Sequence, residues 1–379
     1  MTARFLGILG RLGRPQLIRP IPATRIPNPR AEVNAQKETL MRLFITGGAG
    51  FIGSNFIRFF VDAYPDCDIA NFDKLTYAGN LGNLKAVASR PSYQFVRGNI
   101  CDRQAINQAI KHCEAVVHFA AESHVDRSIE DADEFVHTNV LGTQVLLDAA
   151  REGNLRFVHI STDEVMGSCE DGYFTESSPL RPNSPYAASK AAAEHLVRAA
   201  HVTHGLDVVT LRPSNNYGPF QFPEKLIPLM ITNALEDRPL PVYGDGLNVR
   251  DWLYVEDCCR AIDAVLHRGR TGDVYNIGSR AEKTNLEVVR ALLDLLGKPH
   301  SLIEFVSDRP GHDRRYATDP TKIETELGWR PSESFESGLE KTVRWYMDNT
   351  DWIARARSGE YLQYYERMYG ARERINAEG

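Results

Sequence analysis

From Met41 onward the chain alternates short apolar runs with longer stretches whose apolar residues recur at helical spacing. The short runs have the length of buried strands. They cover residues 43–46, 69–72, 93–96, 115–120, 157–161 and 208–211. The longer stretches predict helices over residues 52–64, 105–112 and 134–152. Strands that alternate with helices predict an α/β fold with a doubly wound parallel sheet, because the crossovers cover both of its faces.

After about residue 215 this rhythm changes, and prolines at 219, 223, 228, 239 and 241 separate shorter elements. A strand is predicted at 274–277, followed by helices at 286–296 and 338–347. We therefore expect a first domain over residues 41–220, to which the chain returns around 250–275. Residues 221–365 would mostly form a smaller C-terminal α/β substrate-binding lobe beside the carboxyl ends of the strands, where open parallel sheets bind ligands.

Residues 1–40 differ from the rest, with six arginines, five prolines and no acidic residue before Glu32. An Arg-rich, acid-poor segment is typical of a transit peptide. The segment is poor in serine and broken by proline, which favours a disordered tail or sequence upstream of a true start at Met41. We expect the fold to begin at Met41.

Composition excludes several classes of protein. The 379 residues carry a net charge of −6, which argues against a nucleic-acid-binding surface. No apolar run approaches the roughly 20 residues that span a bilayer. The six cysteines form no Cys-x-x-Cys pair and lack a zinc-binding spacing, so we expect no metal and a reduced, cytoplasmic protein.

A glycine-rich loop, "ITGGAGFIGSNF", follows the first predicted strand and places Gly47, Gly50 and Gly53 three residues apart. Glycine allows a tight turn and a close approach to a pyrophosphate, whose charge the following helix N-terminus stabilises. A plain glycine turn is the alternative. The next strand ends at Asp73, twenty residues past Gly53, where a carboxylate binds ribose hydroxyls and repels a 2′-phosphate. These features predict a Rossmann-type domain that binds NAD rather than NADP.

The segment "NSPYAASKAAAEH" places Tyr186 and Lys190 four residues apart, on one face of a helix. A tyrosine titrates near pH 10, so a base that works near neutral pH needs its pKa lowered by about 3 units. A neighbouring ammonium helps to supply that shift. An exposed pair on a surface helix is the alternative, but a nearby dinucleotide site favours a redox base.

Two adjacent acids, Asp163 and Glu164, follow the predicted strand 157–161 in "ISTDEVMG". A solvated turn is the usual reason for such a pair. At the carboxyl end of a buried strand, in a chain that also carries the glycine loop and the Tyr186–Lys190 pair, acid–base catalysis is favoured. Mutual repulsion and burial would then raise the pKa of one carboxyl above the other.

At this point the chain resembles the dTDP-glucose 4,6-dehydratases of the extended short-chain dehydrogenase/reductase group. The likeness runs from Met41 to about Tyr346. It is carried in order by "GGAGFIGSNF", "DKLTYAGNL", "HFAAESHVDRSI", "STDEV", "SPYAASKA", "RPSNNYGPFQFPEKLIP", "GDGLNVRDWLYVEDC" and "SDRPGHDRRYATD".

The resemblance implies an NAD-dependent elimination of water from dTDP-glucose that yields a 4-keto-6-deoxy sugar. Tyr186 would deprotonate the C4 hydroxyl, with Lys190 and Thr162 beside it; Glu164 would take the C5 proton, and Asp163 would protonate the leaving C6 hydroxyl. Predicted cofactor contacts are Gly47, Gly50, Phe51, Ile52, Gly53, Asp73, Lys74, Leu75, Thr76, Asn99, Ile100, Ala120, Ala121, Glu122, Ser123, Thr138, Tyr186, Lys190 and Asn216. Predicted substrate contacts are His124, Thr162, Asn215, Lys225, Leu226, Pro241, Tyr243, Arg250, Asn285, Asp308, Arg309 and His312.

The resemblance further implies a homodimer packed through the helices around residues 134–152 and 186–204. Two positions depart from the family pattern: Met166 replaces a common Tyr, and Asn99 replaces the usual Asp near the adenine edge. We expect both to change efficiency rather than reaction type. Two rival functions share the glycine loop: another nucleotide-sugar epimerase or decarboxylase, and a catalytically silent nicotinamide-binding protein. The acid pair argues against the first, and the retained Tyr186, Lys190 and acids argue against the second.

Overall fold

A parallel sheet of seven strands lies at the centre of the computed structural model, which describes residues 41–357, 360–370 and 372–375. The strands of the described residues are β1 (Arg42–Thr46), β2 (Asp68–Asp73), β3 (Tyr93–Arg97), β4 (Ala115–His118), β5 (Arg156–Ile160), β6 (Val208–Pro213), β7 (Asn215–Tyr217), β8 (Leu240–Tyr243), β9 (Val249–Tyr254), β10 (Val274–Ile277), β11 (Glu282–Thr284) and β12 (Ile303–Val306). The strand order in the central sheet is β10-β6-β5-β4-β1-β2-β3.

Helices cover both faces of the central sheet. The α-helices are α1 (Phe51–Ala63), α2 (Arg103–Ala109), α3 (Val125–Glu130), α4 (Asp133–Phe135), α5 (Thr143–Gly153), α6 (Pro185–His204), α7 (Leu226–Leu235), α8 (Val255–Arg268), α9 (Asn285–Leu296), α10 (Thr321–Leu327), α11 (Phe335–Asp348), α12 (Thr350–Ala356) and α13 (Glu360–Tyr365). Two π-helical segments, Val136–Gly142 and Glu366–Gly370, and three 3₁₀ turns, Leu81–Leu84, Asp163–Met166 and His300–Leu302, complete the described elements.

Side-chain alternation along β1 explains the two covered faces. Leu43 and Ile45 join one hydrophobic cluster with Phe60 of α1 and Ile262 of α8. Phe44 points the other way, into a cluster with residues of α2, α5 and α6. Because successive side chains of a strand face opposite sides of the sheet, a strand covered on both sides reads as a continuous apolar run. The predicted doubly wound parallel sheet is confirmed.

Two predicted elements differ from the structure. The strand expected over 115–120 ends at His118, because the chain then turns to pass within 2.5 Å of where a Cβ at Gly47 would lie. The helix expected over 134–152 is divided into α4, the π-helical segment and α5. Within that segment the buried Asn139 side chain bonds both backbone polar groups of Glu122. π-Helical turns frequently mark functional sites.

Beyond β6 the chain builds a second hydrophobic cluster from α7, α9, α11 and α12. Two small sheets accompany it, ordered β11-β9-β7 and β12-β8. The predicted strand 274–277 and the helices predicted over 286–296 and 338–347 are present as β10, α9 and α11. The domain boundaries remain a prediction, and those for residues 1–40 lie outside the described residues. In the part of the chain that the structure describes, no helix is long and apolar enough to cross a membrane.

Candidate active site

The glycine-rich loop closes tightly between β1 and α1. Gly47 has a φ of +71°, and a Cβ there would lie 2.5 Å from the Ala120 nitrogen. A Cβ at Gly53 would lie 2.4 Å from the Gly47 oxygen, so α1 packs directly on the turn. Gly50 differs, because a Cβ there would meet only the Gly47 oxygen at 3.3 Å. Its open side and the start of α1 behind it fit a bound pyrophosphate.

Asp73 ends β2 beside this loop and is 8% exposed. One carboxylate oxygen accepts the Ala49 N–H at 2.9 Å and the other accepts the Leu75 N–H at 2.8 Å. Burial raises the pKa of Asp73, while these two backbone bonds oppose that rise. Asp73 therefore fixes the glycine loop, and each oxygen retains acceptor capacity for a ribose hydroxyl.

A cleft runs from the glycine loop along the carboxyl ends of the parallel strands, and we name it the glycine-loop cleft. It is lined by Gly47, Gly50, Phe51, Ile52, Gly53, Phe72, Asp73, Lys74, Thr76, Ala78, Gly79, Gly98, Asn99, Ile100, Phe119, Ala120, Ala121, Glu122, Ser123, Thr138, Ile160, Ser161, Tyr186, Lys190, Gln221, Phe222, Glu224 and Lys225. All predicted cofactor contacts except Leu75 and Asn216 are in this lining. The cleft therefore brings together most of the residues that were predicted to contact the dinucleotide.

The two exceptions lie close by. Leu75 has a φ of +57° and lines an adjoining polar cleft instead. The Asn216 side chain donates to the Ser214 carbonyl at 2.9 Å, and the Asn216 carbonyl accepts from Gln221, which does line the glycine-loop cleft. Asn216 thus contacts the cleft through its hydrogen bond with Gln221 and does not line it.

Tyr186 and Lys190 project from the first turns of α6, whose N-terminus Ser184 caps by accepting the Ala187 N–H. Lys190 Nζ donates to the Ile160 carbonyl at 2.7 Å, and burial lowers its pKa to about 8. The pKa of Tyr186 is raised, first by burial and then by the Glu164 charge, although hydrogen bonding to Thr162 opposes this rise. The structure therefore brings the pair together at the cleft, but the expected lowering of the Tyr186 pKa by Lys190 is not found.

The two adjacent acids occupy different environments. Asp163 is 2% exposed; its Oδ1 accepts from the Thr162 hydroxyl at 3.3 Å, and its buried Oδ2 has no hydrogen-bond partner. Burial, followed by the charges of Glu164 and Asp251, raises the pKa of Asp163 well above its ordinary value. Burial also raises the pKa of Glu164, but the cations Arg309, Lys225 and Arg250 counteract this rise. The arrangement favours a protonated Asp163 beside a more readily ionised Glu164.

Glu164 faces a second cavity, which we name the Glu164 cavity. It is lined by His124, Val125, Asp126, Glu164, Asn215, Glu224, Lys225, Leu226, Leu229, Met230, Pro241, Val242, Tyr243, Arg250, Trp252, Asn285, Arg309, His312 and Tyr369. All predicted substrate contacts except Thr162 and Asp308 are in this lining. Thr162 instead caps the 3₁₀ turn that carries the acids, and Asp308 Oδ1 lies 2.6 Å from His312 Nδ1. Asp163 lines neither the cleft nor the cavity.

Three cationic side chains line the Glu164 cavity. Arg250 is 5% exposed, lies over the Tyr316 ring and donates to the Asp313 carbonyl at 2.9 Å. Arg309 pairs with Asp126 at 3.3 Å. Lys225 Nζ donates to the Ser123 carbonyl at 2.7 Å. Cations that line a partly buried cavity suit a diphosphate, because its anionic oxygens replace the water molecules that these cations lose on burial.

Glu224 and Lys225 line both the cleft and the cavity, so the two spaces meet there. Sequence reasoning missed Glu224, which is buried and accepts from Arg127 at 3.2 Å and from the Tyr77 hydroxyl at 3.0 Å. Other missed lining residues of the cavity are Val125, Asp126, Leu229, Met230, Val242, Trp252 and Tyr369. The adjacency of Glu224 to Lys225 in "PEKLIP" was the one signal that pointed to Glu224.

Metal chemistry has no support among the described residues, where no group of three or more His, Cys, Asp or Glu side chains could hold an ion. The expectation that the chain carries no metal remains a prediction. The acid–base groups of the site are the ones described above.

Comparison with known proteins adds to this geometry. A family model described as GDP-mannose 4,6 dehydratase matches residues 44–342. The dTDP-glucose 4,6-dehydratase of Streptomyces niveus is 53% identical over 317 residues, which cover 82% of this chain and 94% of the relative. The chain belongs to the dTDP-glucose 4,6-dehydratase family.

Solved structures agree with this assignment. The dTDP-glucose 4,6-dehydratase DesIV of Streptomyces venezuelae, solved with NAD and dTDP bound, is 53% identical with a TM-score of 0.82, covering 83% of this chain and all of that one. The UDP-glucuronic acid 4-epimerase of Bacillus cereus, solved with NAD, is 30% identical with a TM-score of 0.77, covering 81% of this chain and 99% of that one. The fold is therefore shared beyond the dTDP-glucose 4,6-dehydratase family, with a neighbour that was also solved with NAD, whereas the higher identity is to the dehydratases.

Met166 departs from the pattern expected of the dTDP-glucose 4,6-dehydratase family without leaving a gap. It is 2% exposed and packs with Val165 and Ala191. Its sulfur accepts from Arg212, whose guanidinium also pairs with Glu194 at 2.7 Å. Packing at this position therefore persists, and the thioether receives a weak hydrogen bond in place of any that a tyrosine hydroxyl would make.

Asn99 departs from the family pattern in a way that bears on the cofactor. It lines the glycine-loop cleft, and its Oδ1 accepts the Cys101 N–H at 3.0 Å. The amide carbonyl oxygen, the single acceptor atom of this side chain, therefore already accepts one hydrogen bond from the backbone and has one acceptor position left for the adenine edge. The remaining amide nitrogen is a donor only.

Proposed function

We propose that this chain is an NAD-dependent dTDP-glucose 4,6-dehydratase. It converts dTDP-glucose to dTDP-4-keto-6-deoxyglucose by oxidation at C4, loss of water across C5 and C6, and return of the hydride to C6. The observation that carries the proposal is the position of Glu164. It faces the Glu164 cavity, which meets the glycine-loop cleft of Tyr186 and Lys190 at Glu224 and Lys225. A redox site that adjoins an elimination base is what this reaction needs.

The order of steps follows from acidity. A C5 proton of a hexose is removed readily only after C4 has become a ketone, because the carbanion is then stabilised by the carbonyl. When bound in the glycine-loop cleft, NAD would store the hydride from C4 and supply it to C6. Tyr186 would take the C4 hydroxyl proton in the first step. Its raised pKa means that the tyrosinate must be stabilised when substrate and cofactor bind. Lys190, four residues further along α6, is the cation of that helix that also lines the glycine-loop cleft.

The acids would perform the elimination. Glu164, kept ionisable by Arg309, Lys225 and Arg250, would accept the C5 proton. Asp163, whose pKa burial raises well above its ordinary value, would donate to the departing C6 hydroxyl through its unpartnered Oδ2. Each such proton transfer typically contributes about 10²- to 10⁴-fold. An epimerase that only oxidises and reduces C4 has no need of this pair.

The Glu164 cavity would hold the nucleotide sugar. Arg250 and Arg309 would bind the diphosphate, since guanidinium groups donate in a fork that matches phosphate oxygens. Burial lowers the pKa of His124 well below its ordinary value, so this imidazole lies neutral beside Glu224 and binds by hydrogen bonding rather than by charge.

A homodimer is proposed on the exposed faces of the helices predicted for it. Ala188, His195, Ala199 and Val202 are exposed on one side of α6. Val136 is 54% exposed on the preceding π-helical segment. Small and apolar residues repeated on one side of a helix permit close helix packing between subunits. Light scattering of the purified chain tests this assignment.

A reducing, cytoplasmic location is proposed from the cysteines. Cys101, Cys113 and Cys169 are free thiols, and so are the adjacent, fully buried Cys258 and Cys259. Disulfides are rare in reducing compartments, which fits this set.

Mass spectrometry of dTDP-glucose incubated with the purified chain and NAD tests the reaction. The expected product has lost one water, with no net NADH, because the hydride returns to the sugar. UDP-glucose and GDP-mannose serve as parallel substrates, since the matching family model is named for a GDP sugar. Unchanged dTDP-glucose with a converted parallel substrate would contradict the assigned substrate. Net NADH formation would contradict the internal redox step.

A further inference from the structure

The segment Glu360–Gly370 contacts both ligand spaces, although no catalytic role above uses it. At one end, the Tyr361 hydroxyl donates to the Pro223 carbonyl at 3.2 Å, and its ring meets Phe222, which lines the glycine-loop cleft, at 5.8 Å. At the other end, Tyr369 lines the Glu164 cavity. The segment lies beyond residues 44–342, where the family model matches.

Tyr369 makes a direct pair with Tyr243, a predicted substrate contact. Their hydroxyl oxygens lie 3.1 Å apart, and their ring centroids are 6.2 Å apart with planes inclined by 36°. The Arg372 guanidinium covers the Tyr243 ring at 4.1 Å, and His312 meets that ring edge-on at 6.2 Å. Tyr243 is thus held by three neighbours, and Tyr369 supplies a second aromatic ring beside it.

This aromatic pair lies away from the reacting end of the cavity. The hexose must sit where the Glu164 cavity meets the glycine-loop cleft, at Glu224 and Lys225. Besides each other, Tyr243 contacts His312 and Arg372 and Tyr369 contacts Tyr365, and within the described residues no ring contact or hydrogen bond joins the pair to Glu164, Glu224 or Lys225. In a nucleotide sugar the diphosphate separates the hexose from the nucleoside. The part that reaches the aromatic pair is therefore the base.

The tyrosine is anchored from both sides along the chain. Arg367 pairs with Glu130 at 2.8 Å, and the Tyr365 hydroxyl accepts from Asn233 at 3.1 Å. Past it, the Glu373 carbonyl accepts the Ser307 N–H at 2.9 Å, which ties the chain to the end of β12. An aromatic ring fixed in this way loses little conformational freedom when a ligand binds.

We propose that Tyr369 is a further substrate-binding residue, which forms with Tyr243 the aromatic wall for the base of the nucleotide sugar. The inference rests on the proposed function for the class of substrate. Aromatic rings bind bases through their π-faces and edges, and the two hydroxyls add polar contacts at the base edge.

The test is a calorimetric titration of the NAD-saturated full-length chain with dTDP, and with inorganic pyrophosphate as a ligand that lacks a base. Tyr369→Ala should weaken dTDP binding about tenfold or more, while pyrophosphate binding stays unchanged. Tyr369→Phe keeps the ring and should lose only a few-fold.

Tyr173→Ala is the control, because Tyr173 is 56% exposed and lines neither the glycine-loop cleft nor the Glu164 cavity. It should bind dTDP like the wild type. An equal loss in Tyr173→Ala, an unchanged dTDP affinity in Tyr369→Ala, or a parallel loss of pyrophosphate affinity would each overturn the inference.

The same titration separates this inference from the proposed function. A wild-type chain that binds UDP or GDP but not dTDP contradicts the assigned substrate, and the Tyr369 variants are then compared with the nucleotide that binds. A wild-type chain that binds no nucleoside diphosphate overturns both. Conversion of dTDP-glucose by the wild type, with full affinity in Tyr369→Ala, overturns only the role of Tyr369.

Discussion

The glycine-loop cleft and the Glu164 cavity meet at two residues, yet they are built differently. The cleft is shaped by backbone: glycines that cannot accept a Cβ, the start of α1, and Asp73 held by two backbone N–H groups. The cavity is shaped by long side chains from distant segments, such as Arg250, Arg309 and Tyr369. A backbone site suits a cofactor common to many enzymes, whereas a side-chain site can change with the substrate.

The neighbouring structures support this contrast. At 30% identity, the UDP-glucuronic acid 4-epimerase of Bacillus cereus keeps the fold with a TM-score of 0.77 and is solved with NAD. That epimerase was solved with UDP-glucuronic acid, whereas the DesIV dehydratase was solved with dTDP. Experiments that change one space and leave the other intact therefore test the comparison directly.

The largest effect is expected from Glu164→Gln. The amide cannot accept the C5 proton, so elimination should slow by about 10²- to 10⁴-fold. Oxidation at C4 depends on Tyr186 and the glycine-loop cleft and should persist, so NADH should accumulate in single-turnover absorbance measurements. Glu170→Gln, an exposed change in the same loop, is the control. Loss of both steps together would show that the two spaces are not chemically separate.

The next largest effect is expected from Gly50→Ala. Gly50 has a φ of −77°, and a Cβ there meets only one atom, at 3.3 Å, so the fold should tolerate alanine. The methyl group would enter the path of the pyrophosphate. Overpacking typically costs about 1–3 kcal/mol, which weakens NAD binding by about 5- to 150-fold.

Calorimetry with NAD measures this effect, and titration with dTDP is the control, since the Glu164 cavity is untouched. Gly53→Ala provides the contrast, because its Cβ would lie 2.4 Å from the Gly47 oxygen and should lower the melting temperature as well. Full NAD affinity in Gly50→Ala would show that the pyrophosphate lies elsewhere.

These two spaces also explain what could be predicted from the sequence. The centre of the cleft was predicted from local signals: glycines three residues apart, an acid at the end of the next strand, and a Tyr–Lys pair one helical turn apart. Most of the other cofactor contacts were predicted from the family resemblance, and lining residues such as Phe72, Gln221 and Phe222 were missed. The lining residues of the Glu164 cavity were predicted mainly from the family resemblance. Trp252 and Tyr369 carry no local signal, since their place in the cavity depends on how β9 and the C-terminal segment pack. The π-helical segment was missed because its sequence reads as an ordinary amphipathic helix.

The pH dependence of elimination should sharpen the account of the Glu164 cavity. Glu164 must be ionised to accept a proton, and its pKa is raised by burial, so the rate should fall as pH drops through a value above that of an ordinary glutamate. Below that value the rate should fall about tenfold per pH unit. Arg309 is the strongest of the three groups that oppose the rise.

Arg309→Gln should therefore move this acidic limb to higher pH, measured as kcat at saturating dTDP-glucose so that weaker binding does not interfere. Arg314→Gln is the control, because Arg314 pairs with Asp245 on the surface and lines neither space. An unshifted limb in Arg309→Gln would mean that Glu164 is not the group that titrates.

The smallest effect is expected from Asn99→Asp, which tests the cleft at its adenine end. Asn99 has one side-chain acceptor atom, its carbonyl oxygen, which already accepts the Cys101 N–H, so an adenine amino group would have to share that atom. Aspartate would keep the backbone bond with one oxygen and present the other to the ligand. One added hydrogen bond contributes about 0.5–1.5 kcal/mol, so NAD should bind about 2- to 10-fold more tightly. The dTDP affinity of Asn99→Asp should equal that of the wild type, because the substitution changes only the glycine-loop cleft. Weaker NAD binding in Asn99→Asp would instead mean that the Asn99 amide N–H donates a hydrogen bond to an acceptor on the adenine edge.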